Sequence, residues 1–536
     1  MKVACIGGGP GGVFFAVMLR QLLPDSEVVV FERNQMTSTF GFGVVFSEAT
    51  LANLGEADPI LRNRLGAHGE LWDHIEVRLK GQVLRCGGNG MAAIARRRLL
   101  ELLYTRAVEV GVELRFQREI SGLANLANFD LVVGSDGANS ALRTSMADAF
   151  GSTIDKASAK FIWFGTTYRF EGLTFLFETS PYGVFAVHGY PIDDQTGTFI
   201  VETDEQTWMN AGMNKFDVSV PPGQSDLASK EFLQSLFANQ IEGANLLVNN
   251  SRWANFRTIK NRNWSVGRYV ILGDAAHTAH FSVGSGTKMA MEDGAALAGA
   301  LATPGLSLEE AVQLYEMERR PSVEAIQGFA RPSLSWWENF GRYYASMEPT
   351  QFTYHFLTRA ISGDRLLRRD AGFVGEVSRW WQGAFGAAPL QTPLAVAGSI
   401  MTSRLVTVST TPDGFFEGLF ETTEGLRKIR FCSSMGVPND CDFAVVSIPE
   451  SAGGLEKARS TLENVLRKCP AIVAVTGGSS LDRVLLCEDI RLGGSALSMI
   501  VDDHAGLVAA ETSIMSGRAD FFGVTLDHLG DRPSFR

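Results

Sequence analysis

The run MKVACIGGGPGGVFFAVMLRQLLP, residues 1–24, leaves the chain the least freedom. A short apolar stretch breaks at glycine and passes straight into an apolar helical pattern that Pro24 ends; SEVVVFER then supplies a β-branched strand. Strand, crossover helix and strand make a βαβ unit, whose strands pair in parallel. The glycines fall as Gly7-x-Gly9-x-x-Gly12, and Glu32 closes the second strand. Glycine here permits a tight turn and lets backbone N–H groups approach a pyrophosphate at the helix N-terminus, while the acid accepts hydrogen bonds from ribose hydroxyls. The reading is a Rossmann-type dinucleotide site with Gly7, Gly9, Gly12, Glu32 and the adjacent Arg33 as contacts. The loop alone does not choose between NAD and FAD.

A chain of 536 residues has room for roughly three domains. Its net charge of -11 argues against nucleic acid as a partner, since phosphate neutralisation needs a basic field. The cysteines (Cys5, Cys86, Cys432, Cys441, Cys469, Cys487) show no C-x-x-C spacing and read as thiols of a cytoplasmic protein. No apolar run is long enough for a membrane span, and the N-terminus lacks the h-region of a signal peptide. The histidines are dispersed, and His277 with His280 lacks a third partner, so no metal site is expected.

Texture divides the rest. Alternating strands such as EVRLKGQVLRC, KFIWFGTTYRF and TGTFIVET suggest an antiparallel sheet inserted into the doubly wound domain. The expected division is an α/β FAD-type domain from 1–70, 95–158 and 256–330, and a substrate sheet from 71–94 and 159–255. A helical segment, 331–390, and a small C-terminal α/β domain, 391–536, follow.

Two later segments narrow the cofactor. DLVVGSDGANSALR places Asp136-Gly137 after a strand, and GRYVILGDAAH places Gly273-Asp274 after another. With the glycine loop, and with Arg96-x-x-Leu99-x-x-x-Leu103, the chain resembles the class A flavoprotein aromatic monooxygenases over about residues 1–385. The resemblance implies FAD, with Asp274 on the ribityl chain, Asp136 and Gly137 near the pyrophosphate, and Arg96 on a flavin-contacting helix. NAD(P)H and O2 are the implied co-substrates, a flavin C4a-hydroperoxide the implied oxidant, and a small electron-rich aromatic the implied substrate. HTAHFSVGSGTKMAMED departs from the general family pattern at Phe281 and Lys288. There, and in FGFGVVFSEATL with Gly43 and Val44, the chain resembles a narrower group, that of salicylyl-CoA 5-hydroxylase and 2-aminobenzoyl-CoA monooxygenase.

Negative charge accumulates at the flavin N1/C2=O edge on reduction, and Gly284, Ser285 and Gly286 entering a helix can meet it with free N–H groups. For proton handling, period 2 along VFAVHGY puts Ala186, His188 and Tyr190 on one face. His188 or Tyr190 is then a candidate for binding or deprotonating a ring hydroxyl, and His280 beside the flavin loop is a third candidate. The aromatic run SWWENFGRYY reads as a helix packed on a core.

The C-terminal third resembles the beginning and end of an old-yellow-enzyme-type barrel, but residues 391–536 fall short of the about 200 to 250 a full eightfold barrel takes. Five strands can be counted, suggesting a shortened, structural or oligomerising relic in a homo-oligomer. The favoured substrate reading is natural-product tailoring of a piericidin-type pyridinol; an aryl-CoA thioester is the alternative, and a flavoprotein dehydrogenase or oxidase the alternative of another class.

Overall fold

A computed structural model describes residues 1–39, 41–217, 223–412, 415–433, 442–451, 453–502 and 505–525. The chain forms two compact units, Met1–Gly341 and Arg342–Arg536.

The first unit is built on a six-stranded sheet. Its order runs Ser265–Val266, Tyr269–Ile271, Leu131–Gly134, Lys2–Ile6, Glu27–Glu32, Glu113–Phe116, and all neighbours but the first pair are parallel. The central strands are apolar throughout because helices cover both faces. Helix Pro10–Leu22 covers one face and packs tightly on helix Gly286–Leu301. Glycine makes that crossing close: a Cβ on Gly294 would lie 2.8 Å from the Gly11 carbonyl oxygen.

The second sheet has eight strands, and its core is the antiparallel set Ser152–Thr166, Leu173–Ser180, Gly183–Pro191 and Gly197–Thr203. Strand Ile75–Leu79 joins it in parallel with Leu173–Ser180. One face packs Phe185, Val187, Phe199 and Val201 into a core. The other carries Ala186, His188 and Tyr190, as the period-2 pattern requires. A small third sheet pairs Met91–Ala95 with Gly43–Ser47 and Glu70–Trp72. The long helix Leu308–Ser346 buries Trp336, Trp337 and Phe340, and Trp337 stacks on Phe175 and Phe177.

The second unit contains a closed barrel of seven strands that follow one another around the ring in chain order: Leu405–Thr410, Phe416–Thr422, Gly425–Ser433, Phe443–Ile448, Ile472–Gly477, Leu497–Val501 and Phe521–Thr525. The last pairs in parallel with the first. Phe420, Phe431, Phe443 and Phe521 meet ring to ring inside it. The five strands expected in the C-terminal third are therefore corrected to nine among the described residues, seven in the ring and two, Leu394–Val396 and Ser399–Met401, joined to it. The hairpin Phe416–Ser433 escapes the sequence reading because Glu417, Glu421, Arg427, Lys428 and Arg430 dilute its apolar residues.

Cys5, Cys86, Cys469 and Cys487 are free, whereas Cys432 is disulfide-bonded, against the reading of every cysteine as a thiol. Cys441 and the 526–529 end of the old-yellow-enzyme resemblance lie outside the described residues. Among those described, no helix is long and apolar enough to cross a membrane.

Candidate flavin and substrate site

The glycine loop behaves as its spacing requires. Gly7 sits at φ +107, and a Cβ on Gly12 would lie 2.1 Å from Ser135 Oγ, so a side chain at either position is excluded. Glu32 accepts from the Gly8 N–H at 2.7 Å and, on its other oxygen, from Asn34. That fixes the carboxylate beside the loop and leaves lone pairs for further donors. Arg33 is exposed. Tyr104, on the helix Arg96–Glu109, donates to the Gly8 carbonyl at 2.9 Å and so anchors the arginine helix on the loop.

The two aspartate turns are tied together by a residue to which the sequence reading gave no role. Buried Arg143 donates to the carbonyls of Ala138 at 2.7 Å and Ala275 at 2.9 Å. Asp136 accepts from Ala141 N–H at 2.7 Å through one oxygen, and Gly137 turns the chain at φ +79. The Gly-Asp turn is held by Asp293, fully buried, which accepts from the Gly273 N–H (3.0 Å), His277 Nε2 (2.7 Å) and Arg319 Nε (2.9 Å). His277 thus serves the turn rather than a metal, and no metal-ligating cluster occurs among the described residues.

Asp274 is surrounded by protein yet keeps its side chain exposed, the condition of a group on the floor of a deep cleft. Burial pushes its carboxyl up despite the opposing pull of Arg96 and His277. Half-buried Arg96 is pushed down by burial, with Asp274 opposing. Gly286 opens its helix with its Cβ position 4.0 Å from Asp274 Oδ1, and Gly284 precedes it at φ +65. Neither this helix nor Pro10–Leu22 has a side-chain cap on its N-terminus, so both present open N–H groups. Asp136 Oδ1 and Ser285 Oγ are buried with no hydrogen-bonding partner among the described residues. Orphaned polar atoms in a glycine-lined cleft with two open helix ends suit a long, polar, anionic cofactor. Of the other two residues expected there, Gly43 packs against Tyr190 and Ile192, and Val44 is buried in the core, leaving only its backbone for a ligand.

His188 and His280, read separately in the sequence, meet on one carboxylate that the sequence reading missed. His188 Nε2 lies 2.6 Å from Glu202 Oε2, and His280 Nε2 lies 3.3 Å from Glu202 Oε1, all three side chains being buried. Burial works to raise the Glu202 carboxyl, but His280 and His188 overcome it and hold it down, at about 2. His280 Nδ1 is 2.7 Å from Ser282 Oγ, which reaches Ser333 Oγ at 2.7 Å. Tyr190 stacks on Trp72 and donates to the Gly43 carbonyl at 3.3 Å. Burial pushes its hydroxyl up to about 12, which keeps it a hydrogen-bond donor at neutral pH. Around it Phe42, Met91, Phe161, Trp163 and Phe281 form a half-buried apolar patch of the size class that takes an aromatic ring. Phe281 links the two features, lying 5.0 Å from Phe161, 4.3 Å from His280 and 5.4 Å from His188 between ring centroids. Glu202 was legible only as part of the strand TGTFIVET: two residues from Ile200, it shares the face of His188 once the strands are paired.

The fold and site define a flavoprotein monooxygenase. The chain belongs to the family described as FAD binding domain, whose model matches residues 1–330. It is a single-component, FAD-dependent aromatic hydroxylase with NAD(P)H and O2 as co-substrates. It is 51% identical to salicyloyl-CoA 5-hydroxylase of a Streptomyces sp over 98% of this chain and 100% of that protein. It is 37% identical to 3-hydroxy-4-methyl-anthranilyl-[aryl-carrier protein] 5-monooxygenase of Streptosporangium sibiricum, over 63% of this chain and 89% of that one. Among solved structures, the tetrameric form of 2-methyl-3-hydroxypyridine-5-carboxylic acid oxygenase shares the fold, with TM-score 0.52, 19% identity, and coverage of 69% of this chain and 97% of that one.

Proposed function

We propose that the protein hydroxylates an aromatic ring bearing a hydroxyl or amino group and carried as a CoA thioester. The observation that carries this reading is the end-to-end similarity to the salicyloyl-CoA relative, which extends through the C-terminal unit. The other relative, whose match spans only 63% of this chain, acts by name on an anthranilyl ring held on an aryl-carrier protein. Both favour an aryl thioester over the pyridinol that the sequence reading ranked first.

Bound FAD supplies the redox chemistry, taking electrons from NAD(P)H and activating O2. Gly7, Gly9, Gly12, Glu32 and Arg33 hold its adenosine end, and Asp136 and Gly137 border the pyrophosphate. Arg96, Asp274, Gly284 and Gly286, with the backbone of Gly43 and Val44, hold the ribityl and ring end. The donors at the start of helix Gly286–Leu301 meet negative charge there. The aromatic patch excludes water and holds the ring flat. Tyr190, whose own O–H goes to the Gly43 carbonyl, accepts from a ring hydroxyl, and His188 or His280 removes a proton from it, which raises the ring's electron density. Residues 1–70, 95–158 and 256–330 form the cofactor domain, 71–94 and 159–255 the substrate sheet. The helical segment 331–390 connects to a barrel, 391–536, that stabilises the chain or its homo-oligomer; a second flavin bound per chain would overturn that role.

The test is kcat/KM, with product mass, for hydroxybenzoyl- and aminobenzoyl-CoA against the free acids and a pyridinol. A preference for the thioesters of tenfold or more is expected; equal or better turnover of a free acid or the pyridinol overturns the reading.

A further inference from the structure

Resting on that reading, the inference concerns which atoms of the substrate the pocket reads. Strand register fixes the floor of the aromatic patch. Trp163 faces Ile200, and Ile200 faces His188, so the three form one row across the sheet. Gly165, Thr198 and Tyr190 form the next row. Gly165 leaves its place to Phe42: a Cβ there would lie 2.5 Å from the Phe42 ring. Along the same strand the surface runs on through Trp163 to Phe161, and Phe281 covers both, 6.0 Å and 5.0 Å away between ring centroids. Trp72 reaches the patch from the small third sheet and stacks on Tyr190, 6.2 Å between centroids.

An indole N–H only donates, and burying it without an acceptor costs free energy. Elsewhere the chain supplies the acceptor: Trp253 donates to Ser229 Oγ at 2.8 Å, and Trp381 to Thr392 Oγ1 at 2.9 Å. Trp72 Nε1 and Trp163 Nε1 are buried with no hydrogen-bonding partner among the described residues, and Trp72 is only 7% exposed. Trp208 Nε1 is also unpartnered, but Trp208 packs against the core on the opposite face of the sheet, under the Lys160 ammonium. Two unpartnered donors thus belong to the one patch suited to an aromatic ring. Phenylalanine would line that patch equally well, so the two N–H groups call for acceptors that arrive with the ligand.

We infer that Trp72 and Trp163 are the specificity-determining donors of the pocket, the first binding the ring hydroxyl oxygen and the second the thioester carbonyl oxygen. Trp72 stacks on Tyr190, whose hydroxyl accepts from the ring hydroxyl, so an N–H beside it meets the oxygen of the same group. Trp163 stands two strands from His188 in its row, about 10 Å at ordinary strand spacing, and serves the other end of the ring. A donor on the ring oxygen binds the oxyanion more strongly than the neutral hydroxyl, which favours the electron-rich form of the ring. An amino group in the same place offers N–H bonds instead of an acceptor, because its lone pair is spread into the ring, and Trp72 stays unpaired. The pocket therefore selects hydroxybenzoyl- over aminobenzoyl-CoA.

The experiment titrates the oxidised holoenzyme, without NAD(P)H, with hydroxybenzoyl-CoA, aminobenzoyl-CoA and the thioether hydroxybenzyl-CoA, which lacks the carbonyl. Kd is read from the change in flavin absorbance. In wild type the last two ligands are each expected to bind about tenfold more weakly, the effect of one lost hydrogen bond that leaves a buried donor unpaired. Trp72→Phe and Trp163→Phe keep an aromatic ring and remove the N–H, with FAD content as the check on folding. Trp72→Phe should weaken hydroxybenzoyl-CoA about tenfold and erase its advantage over aminobenzoyl-CoA. Trp163→Phe should weaken it by a similar factor and erase its advantage over the thioether. Trp208→Phe is the control and should leave all three Kd values unchanged. Equal Kd for the three ligands in wild type overturns the inference whether or not the variants fold, and so does full discrimination in folded Trp72→Phe and Trp163→Phe. Failure of wild type to bind any aryl-CoA counts against the functional reading itself, whereas tight binding without discrimination counts against the two donors alone.

Discussion

Asp293 and Glu202 are both buried carboxylates that accept from histidine, and they do opposite things. Asp293 is matched by Arg319, two further donors and a helix that crosses the glycine loop's helix, so it fixes the Gly-Asp turn. Glu202 instead meets two imidazoles, His188 at 2.6 Å and His280 at 3.3 Å, on the sheet face that carries Tyr190. The first holds the cofactor turn; the second lies beside the aromatic patch, which its two histidines touch through Phe281.

The largest effect is expected at the clamp. Asp293→Ala leaves the Gly273 N–H without its buried partner and Arg319 with only half-buried Glu292, and should cost about 3 kcal/mol of stability, read by urea denaturation, with loss of bound FAD. Glu202→Gln should keep FAD but lower the hydroxylation rate by about 10- to 100-fold, within the range of general acid–base contributions, measured as the rate of product formation in single-turnover assays. Equal damage to FAD content in both variants would erase the distinction between them.

A smaller effect sharpens it by pH. Glu202 titrates below its ordinary range in the fold, so its contribution to stability is complete above the unfolded value near 4.5 and is lost as pH falls towards about 2. Glu202→Gln should flatten that acid limb of the stability curve, which acid titration followed by circular dichroism measures. Tyr190→Phe should cost the least, about 1 kcal/mol from one neutral hydrogen bond, seen as a modest rise in substrate Kd with kcat nearly unchanged.

The Asp293 clamp was partly legible and the Glu202 cluster was not. His277 and Asp293 lie in one short segment, and the glycine loop, Asp136-Gly137 and Gly273-Asp274 are local signals whose order fixed the cofactor domain. Glu202 pairs with His188 across two strands and with His280 across the sheet face; such contacts depend on register, which period-2 texture leaves open until the strands are paired. Tyr104 and Arg143 were equally hidden, because each acts through a backbone carbonyl far away in sequence. The C-terminal barrel shows the same limit: its parallel strands read clearly, while the charged hairpin that closes the ring did not.

The most direct test of the account is oxygen transfer itself. Holoenzyme with NADH, hydroxybenzoyl-CoA and isotopically heavy O2 should yield a thioester carrying one heavy oxygen on the ring, with NADH consumption stimulated by the substrate. NADH-independent oxidation, or a product whose added oxygen comes from water, would contradict it.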